Sequence, residues 1–101
     1  MAKNQDYAEQ LGRAWALHRQ GQNDAAAREF SALLQNAANN MDALYGLGLS
    51  QRGAGQMQAA QSSFEKCLVQ VNSSLAERPN EDRFQMLEKM TNQRLSELKA
   101  K

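Results

Sequence analysis

The chain has 101 residues, which suits one domain with a modest hydrophobic core. Twelve basic and eleven acidic residues leave a net charge of +1, so the basic excess of a dedicated nucleic-acid binder is missing and nothing draws the chain to an anionic membrane surface. No stretch reaches the roughly 18 consecutive apolar residues of a membrane span.

Ala, Gln, Leu, Glu, Lys and Arg dominate, all good helix formers. Strand signals, runs of alternating β-branched and aromatic residues, are nearly absent. The N-terminal Met1-Ala2-Lys3-Asn4-Gln5-Asp6 has no apolar core of the kind a secretory leader needs. Cys67 is the only cysteine, so no internal disulfide can form. Both observations point to a reducing, cytoplasmic location.

The periodicity predicts five helices, at about 5–20, 23–37, 41–52, 57–77 and 81–99. The first ends before Gly21. The second carries Ala26, Phe30, Leu33 and Leu34 on one face. The third ends before Gly53-Ala54-Gly55, which reads as a turn. The fourth carries Ala60, Phe64, Cys67 and Leu68 in the same phase as the second. Val71 and Leu75 keep that phase, which carries the helix through Asn72-Ser73-Ser74; a loop there is the competing reading. The fifth opens at Pro79-Asn80, with Glu81 and Asp82 in its first turn. It continues with an apolar stripe of Phe84, Leu87, Thr91, Leu95 and Leu98. Lys89, Arg94, Lys99 and Lys101 gather toward its C-terminus, where the helix dipole favours cations.

Two segments align without a gap, residues 7–40 and 41–74. In that frame Gly21 matches Gly55, Ala25-Ala26 matches Ala59-Ala60, Phe30 matches Phe64, Leu34 matches Leu68 and Ala14 matches Gly48. The glycines can take the left-handed conformation that ends a helix. Ala14 facing Ala26, and Gly48 facing Ala60, would let antiparallel helices approach closely, with a phenylalanine filling the space beside each crossing. Each segment is therefore a helix-turn-helix unit.

These residues resemble the tetratricopeptide repeat family. Its 34-residue unit opens with an aromatic-x-x-Leu-Gly pattern, turns at a Gly, and spaces an Ala and an aromatic by four on its second helix. The second copy has Leu44, Leu47-Gly48, Gly55, Ala60, Phe64, Cys67 and Leu68 at matching places. It departs at Leu44, where the aromatic would stand, and at Asn72, where a Pro often closes the unit. The first copy departs further, with Gln10 and Arg13 in place of large apolar residues and Ala38 in place of the Pro. A first repeat has no outer neighbour, so polar residues there fit a solvated end. The resemblance implies an all-α solenoid of two helix-turn-helix repeats with a C-terminal capping helix at 79–100, one domain over residues 1–101.

The residues offer little chemistry. His18 is the only histidine, and one His with one Cys cannot build a usual structural zinc site. Gly46, Gly48, Gly53 and Gly55 lack the strand and the Lys-Ser/Thr of a phosphate loop. Cys67 falls at a packing position. The carboxylates lie among basic residues, with Glu88/Arg94 and Glu97/Lys101 reading as a solvated helix face. We therefore expect no enzyme, no cofactor and no metal.

The resemblance also implies that the first helices of the units line a concave, partner-binding surface. That surface would show Ala8, Leu11, Trp15, His18 and Arg19 from the first unit and Asp42, Tyr45, Leu49 and Arg52 from the second. Trp, Tyr and Arg are enriched at interaction hot spots. A peptide or amphipathic helix with apolar and acidic residues would suit it. On the competing reading the last helix covers Trp15 and Tyr45, and both are core. The heat-shock-chaperone type of carboxylate clamp is not expected, because Leu11, Trp15 and Gly46 stand where its Lys and two Asn residues would be. The expected function is a protein-interaction scaffold or adaptor without nucleic-acid or membrane insertion. The rival is a small accessory subunit of a larger complex, or a homodimer, whose stack its partner completes. An exposed patch of Phe84, Met86, Leu87 and Met90 would favour that rival.

Overall fold

The structure, a computed structural model, describes the backbone of residues 3–99 and the side chains of residues 7–99. Its described residues form five α-helices and no strand: α1 Lys3–Arg19, α2 Asn23–Asn36, α3 Met41–Gly53, α4 Met57–Glu77 and α5 Asp82–Lys99. The expected elements are all present, within two residues at each end. Lys101 lies outside the described residues.

Two kinds of turn recur. After α1, Gly21 takes φ +80° and its N–H donates to the His18 carbonyl at 3.0 Å, while Gln22 N–H reaches back to Leu17 at 2.9 Å. After α3, Gly55 takes φ +84°, its N–H donates to Arg52 at 3.0 Å, and Gln56 N–H reaches Gln51 at 2.8 Å. This satisfies the last carbonyls of each helix through a left-handed residue, which glycine adopts without steric cost. The other connections, after α2 and α4, also match. Ala37 N–H donates to Leu33 at 3.0 Å and Asn40 N–H to Ala37 at 3.0 Å; Arg78 N–H donates to Ser74 at 2.9 Å and Glu81 N–H to Arg78 at 3.2 Å.

Ala26 and Phe30 on α2, and Ala60 and Phe64 on α4, are fully buried. The phenylalanine rings lie over glycines of α3 rather than beside the helix crossings. A Cβ on Gly46 would sit 2.3 Å from the Phe30 ring, and one on Gly48 would sit 2.6 Å from Phe64. Phe64 thus closes the α3–α4 hairpin, and Phe30 locks the first hairpin onto the second. Gly53 plays a similar part at the helix ends, where a Cβ would meet the Asn23 side chain at 2.4 Å.

The core has two connected clusters. One joins α1 and α2 to α3 through Ala14, Phe30, Leu33, Ala43 and Leu47; the other joins α3, α4 and α5 through Leu44, Tyr45, Phe64, Val71, Leu87 and Leu95. Trp15 packs against both. At the outer side of α1, Arg13 is exposed and Gln10 half-buried, with Arg13 3.8 Å from Glu29.

α4 is continuous through Asn72-Ser73-Ser74 and has 21 residues against 14 in α2. α5 packs on α4 and runs beside α3 in the same direction. Arg83 near its start lies 3.5 Å from Asp42 near the start of α3, and Glu97 near its end lies 2.8 Å from Arg52 near the end of α3. Two local expectations are corrected. The helix begins at Asp82, so Glu81 rather than Asn80 precedes it, and Gln85 Nε2 donates to the Pro79 carbonyl at 2.7 Å. Arg94 pairs not with Glu88 but with Glu97, at 2.9 Å.

Candidate interaction surface

Of the nine residues expected on a concave face, Ala8 is exposed, and the other eight fall into two groups. Leu11, Trp15, His18 and Leu49 are half-buried and Arg19 is exposed. Trp15 stands edge-on to Phe30, with ring centroids 5.1 Å apart, and edge-on to His18 at 5.9 Å. His18 Nδ1 lies 3.0 Å from Asn23 Oδ1, which fixes the imidazole at the α1–α2 turn. Leu11, one helical turn before Trp15, packs beside it against the first core cluster.

Asp42, Tyr45 and Arg52 are instead engaged with α5. Asp42 and Arg52 make the two ion pairs with Arg83 and Glu97. Tyr45 is only 6% exposed and shares a cluster with Leu87 and Leu95, its ring tilted against Phe64 at 5.6 Å. Burial raises the Tyr45 phenol pKa above its ordinary value, and the nearby Arg94 and Arg52 guanidinium groups partly offset this.

Cys67 is fully buried, 3.6 Å from the Met41 carbonyl and 3.7 Å from Thr91 Oγ1. Burial pushes its thiol pKa up, so at neutral pH it stays a packed thiol. Thr91 is buried as well and donates to the Leu87 carbonyl at 2.7 Å. Among the described residues no group of three or more His, Cys, Asp and Glu side chains converges as a metal site. No described helix is long and apolar enough to cross a membrane.

Sequence reasoning did not place Met57, Met86, Glu97 and Leu98 at this surface. Arg52, Met57, Glu97 and Leu98 line a depression of about 270 Å³ where α3, α4 and α5 come together. Met86 is 63% exposed and Met90 37%, whereas Leu87 of the same helix is buried. The signal available in the sequence was the seven-residue spacing of Arg83, Met90 and Glu97, which puts all three on one flank of a helix.

Residues 42–71 match the family model described as tetratricopeptide repeat. The α3–α4 hairpin is such a repeat, within an all-helical fold. Repeats of this family generally serve as non-enzymatic protein–protein interaction modules. No curated protein and no solved structure matches the chain.

Proposed function

We propose that the chain is a non-enzymatic interaction scaffold that holds a peptide or helix of a partner protein on the surface shared by α1 and α3. In this reading residues 7–40, 41–74 and 79–100 act as one unit in a cytoplasmic setting. The observation that carries it is Trp15. It is the chain's only tryptophan, it packs against both core clusters, and it is nevertheless left half-open, with His18 edge-on to its ring, Leu11 and Arg19 one helical turn to either side, and Leu49 packed against the same cluster. A large aromatic held rigidly at the edge of a core is the kind of anchor on which binding energy concentrates. Asp42, Tyr45 and Arg52 support the surface from beneath and at its margins through their contacts with α5.

The test is capture from native lysate by the wild-type chain and by an Arg19→Glu, Leu49→Gln variant, with melting curves for both. These positions suit the test better than Tyr45, whose burial makes any truncation a stability mutation. A protein retained by wild type and lost by a variant that still folds supports the surface. Equal capture by both excludes it.

The rival reading, an accessory subunit or homodimer, draws on the exposed Met86 and Met90. Leu87 is buried and Phe84 half-buried, so the patch is narrower than four residues.

A further inference from the structure

The connection before α5 repeats the backbone hydrogen bonds of the connection before α3, with every residue shifted by 41. Ala37 corresponds to Arg78, with φ/ψ of −140°/69° and −133°/73°. Leu44 N–H donates to Asn40 at 3.0 Å, and Gln85 N–H to Glu81 at 3.1 Å. The first two hairpins repeat at 34 residues, as Gly21 and Gly55 show. The extra seven residues are the amount by which α4, at 21 residues, exceeds α2, at 14. Seven residues are nearly two whole helical turns, so the phase of the chain is preserved.

This register makes Arg83 the counterpart of Asp42, Met86 of Tyr45 and Met90 of Leu49. The Arg83–Asp42 ion pair joins two equivalent positions on neighbouring parallel helices. Arg83, Met90 and Glu97 are seven apart and share one flank of α5. Since Arg83 and Glu97 both reach α3, that flank borders α3, and Met90 lies on it between them. Met86 sits one turn before Met90 on the same side. The counterparts of Leu44 and Gly48, which pack against α4, are Gln85 and Lys89. α5 is thus polar at those positions, while Met86 and Met90 on its side toward α3 are apolar.

Resting on the interaction-surface reading, we propose that Met86 and Met90 form a third rung of the same surface, and that its occupant is a partner's amphipathic helix with an acidic edge. The apolar strip runs from Trp15 through Leu49 to the two methionines. Its width across three helices calls for apolar side chains in successive turns of a helix. Charge sets the occupant's orientation. At the C-terminal ends of α1, α3 and α5, Arg19, Arg52 and Arg94 outnumber Glu97. Carboxylates on the occupant would lie against that margin, while the opposite margin is neutralised by Asp42 and Arg83. Unbranched methionines adapt to differently shaped apolar side chains, so this rung would tolerate variation in the occupant.

Methionine-methyl NMR tests this directly, since Met41, Met57, Met86 and Met90 report from distinct places in the fold. The probe is a synthetic helix with Leu at i, i+4, i+7 and i+11 and Glu along one edge; its twin has Lys in place of each Glu. The Glu probe should shift the Met86 and Met90 methyls and the Trp15 indole, leave Met41 unmoved, and bind more tightly than the Lys twin. A Met86→Gln, Met90→Gln variant should keep its melting temperature and lose about tenfold in affinity for the probe. A shift of the Trp15 indole without the methyls would overturn the third rung and leave the α1–α3 surface standing. No shift at either place would overturn both. Equal response to the twins would overturn the acidic-edge occupant. Methyl shifts on concentrating the chain alone would make the occupant a second copy instead.

Discussion

α1 and α3 hold equivalent places in successive hairpins, yet their burial differs sharply. α3 is buried at every residue from Ala43 to Gly48, while α1 buries only Ala14 among its described side chains. The turns that follow the two helices are the same in dihedral angle and hydrogen bonding. The difference therefore lies in neighbours, not in local conformation. Among the described residues α3 meets α2 on one side and α4 and α5 on others, while α1 meets α2 and only the edge of α3. Gln10 is only half-buried, while the equivalent Leu44 is buried inside the second cluster. In a stack of this kind the repeat pattern in the sequence records which faces are covered.

Five substitutions, one alone and two pairs, sharpen that contrast. Phe64→Ala should have the largest effect, about 3–5 kcal/mol in urea unfolding, because the ring fills the space over Gly48 and touches Tyr45. A loss under about 1 kcal/mol would mean that the hairpin collapses to fill the void. Next, Leu44→Gln should cost about 2–3 kcal/mol, the worth of a buried leucine, while the equivalent Gln10→Leu changes stability by less than about 0.5 kcal/mol. Equal effects at the two positions would erase the distinction between inner and outer helices. Smallest, Gly55→Ala should lose about 1 kcal/mol through its left-handed φ of +84°. Gly12→Ala should gain about 0.5–1 kcal/mol, since it lies inside α1 with nothing within 4 Å of an added Cβ. A gain at both would remove the strain argument for the turn.

Much of this architecture was legible in the sequence. The turn glycines, the paired phenylalanines and the unbroken phase through Val71 and Leu75 are short-range signals, each carried by one helix or one turn. The surface was legible only in part. Trp15 and Leu49 could be assigned from the 34-residue frame, but the burial of Tyr45 depends on where α5 packs. The Arg52–Glu97 and Asp42–Arg83 pairs span 45 and 41 residues. No periodicity at 34 exposes them. Met86 and Met90 were visible as an apolar pair on α5, yet that frame does not align them with Tyr45 and Leu49. The longer α4 shifts their register by two turns.

That extra length of α4 carries a rule about how this chain can change. Adding or removing residues in α4 rotates everything downstream by about 100° per residue, so a single insertion would swing the α5 methionines away from α3 and bring polar residues in their place. A change of about two turns returns them almost to where they began, displaced along the axis by roughly 10 Å. The spacing between rungs is thus quantised: α4 acts as a ratchet that can lengthen only in whole clicks.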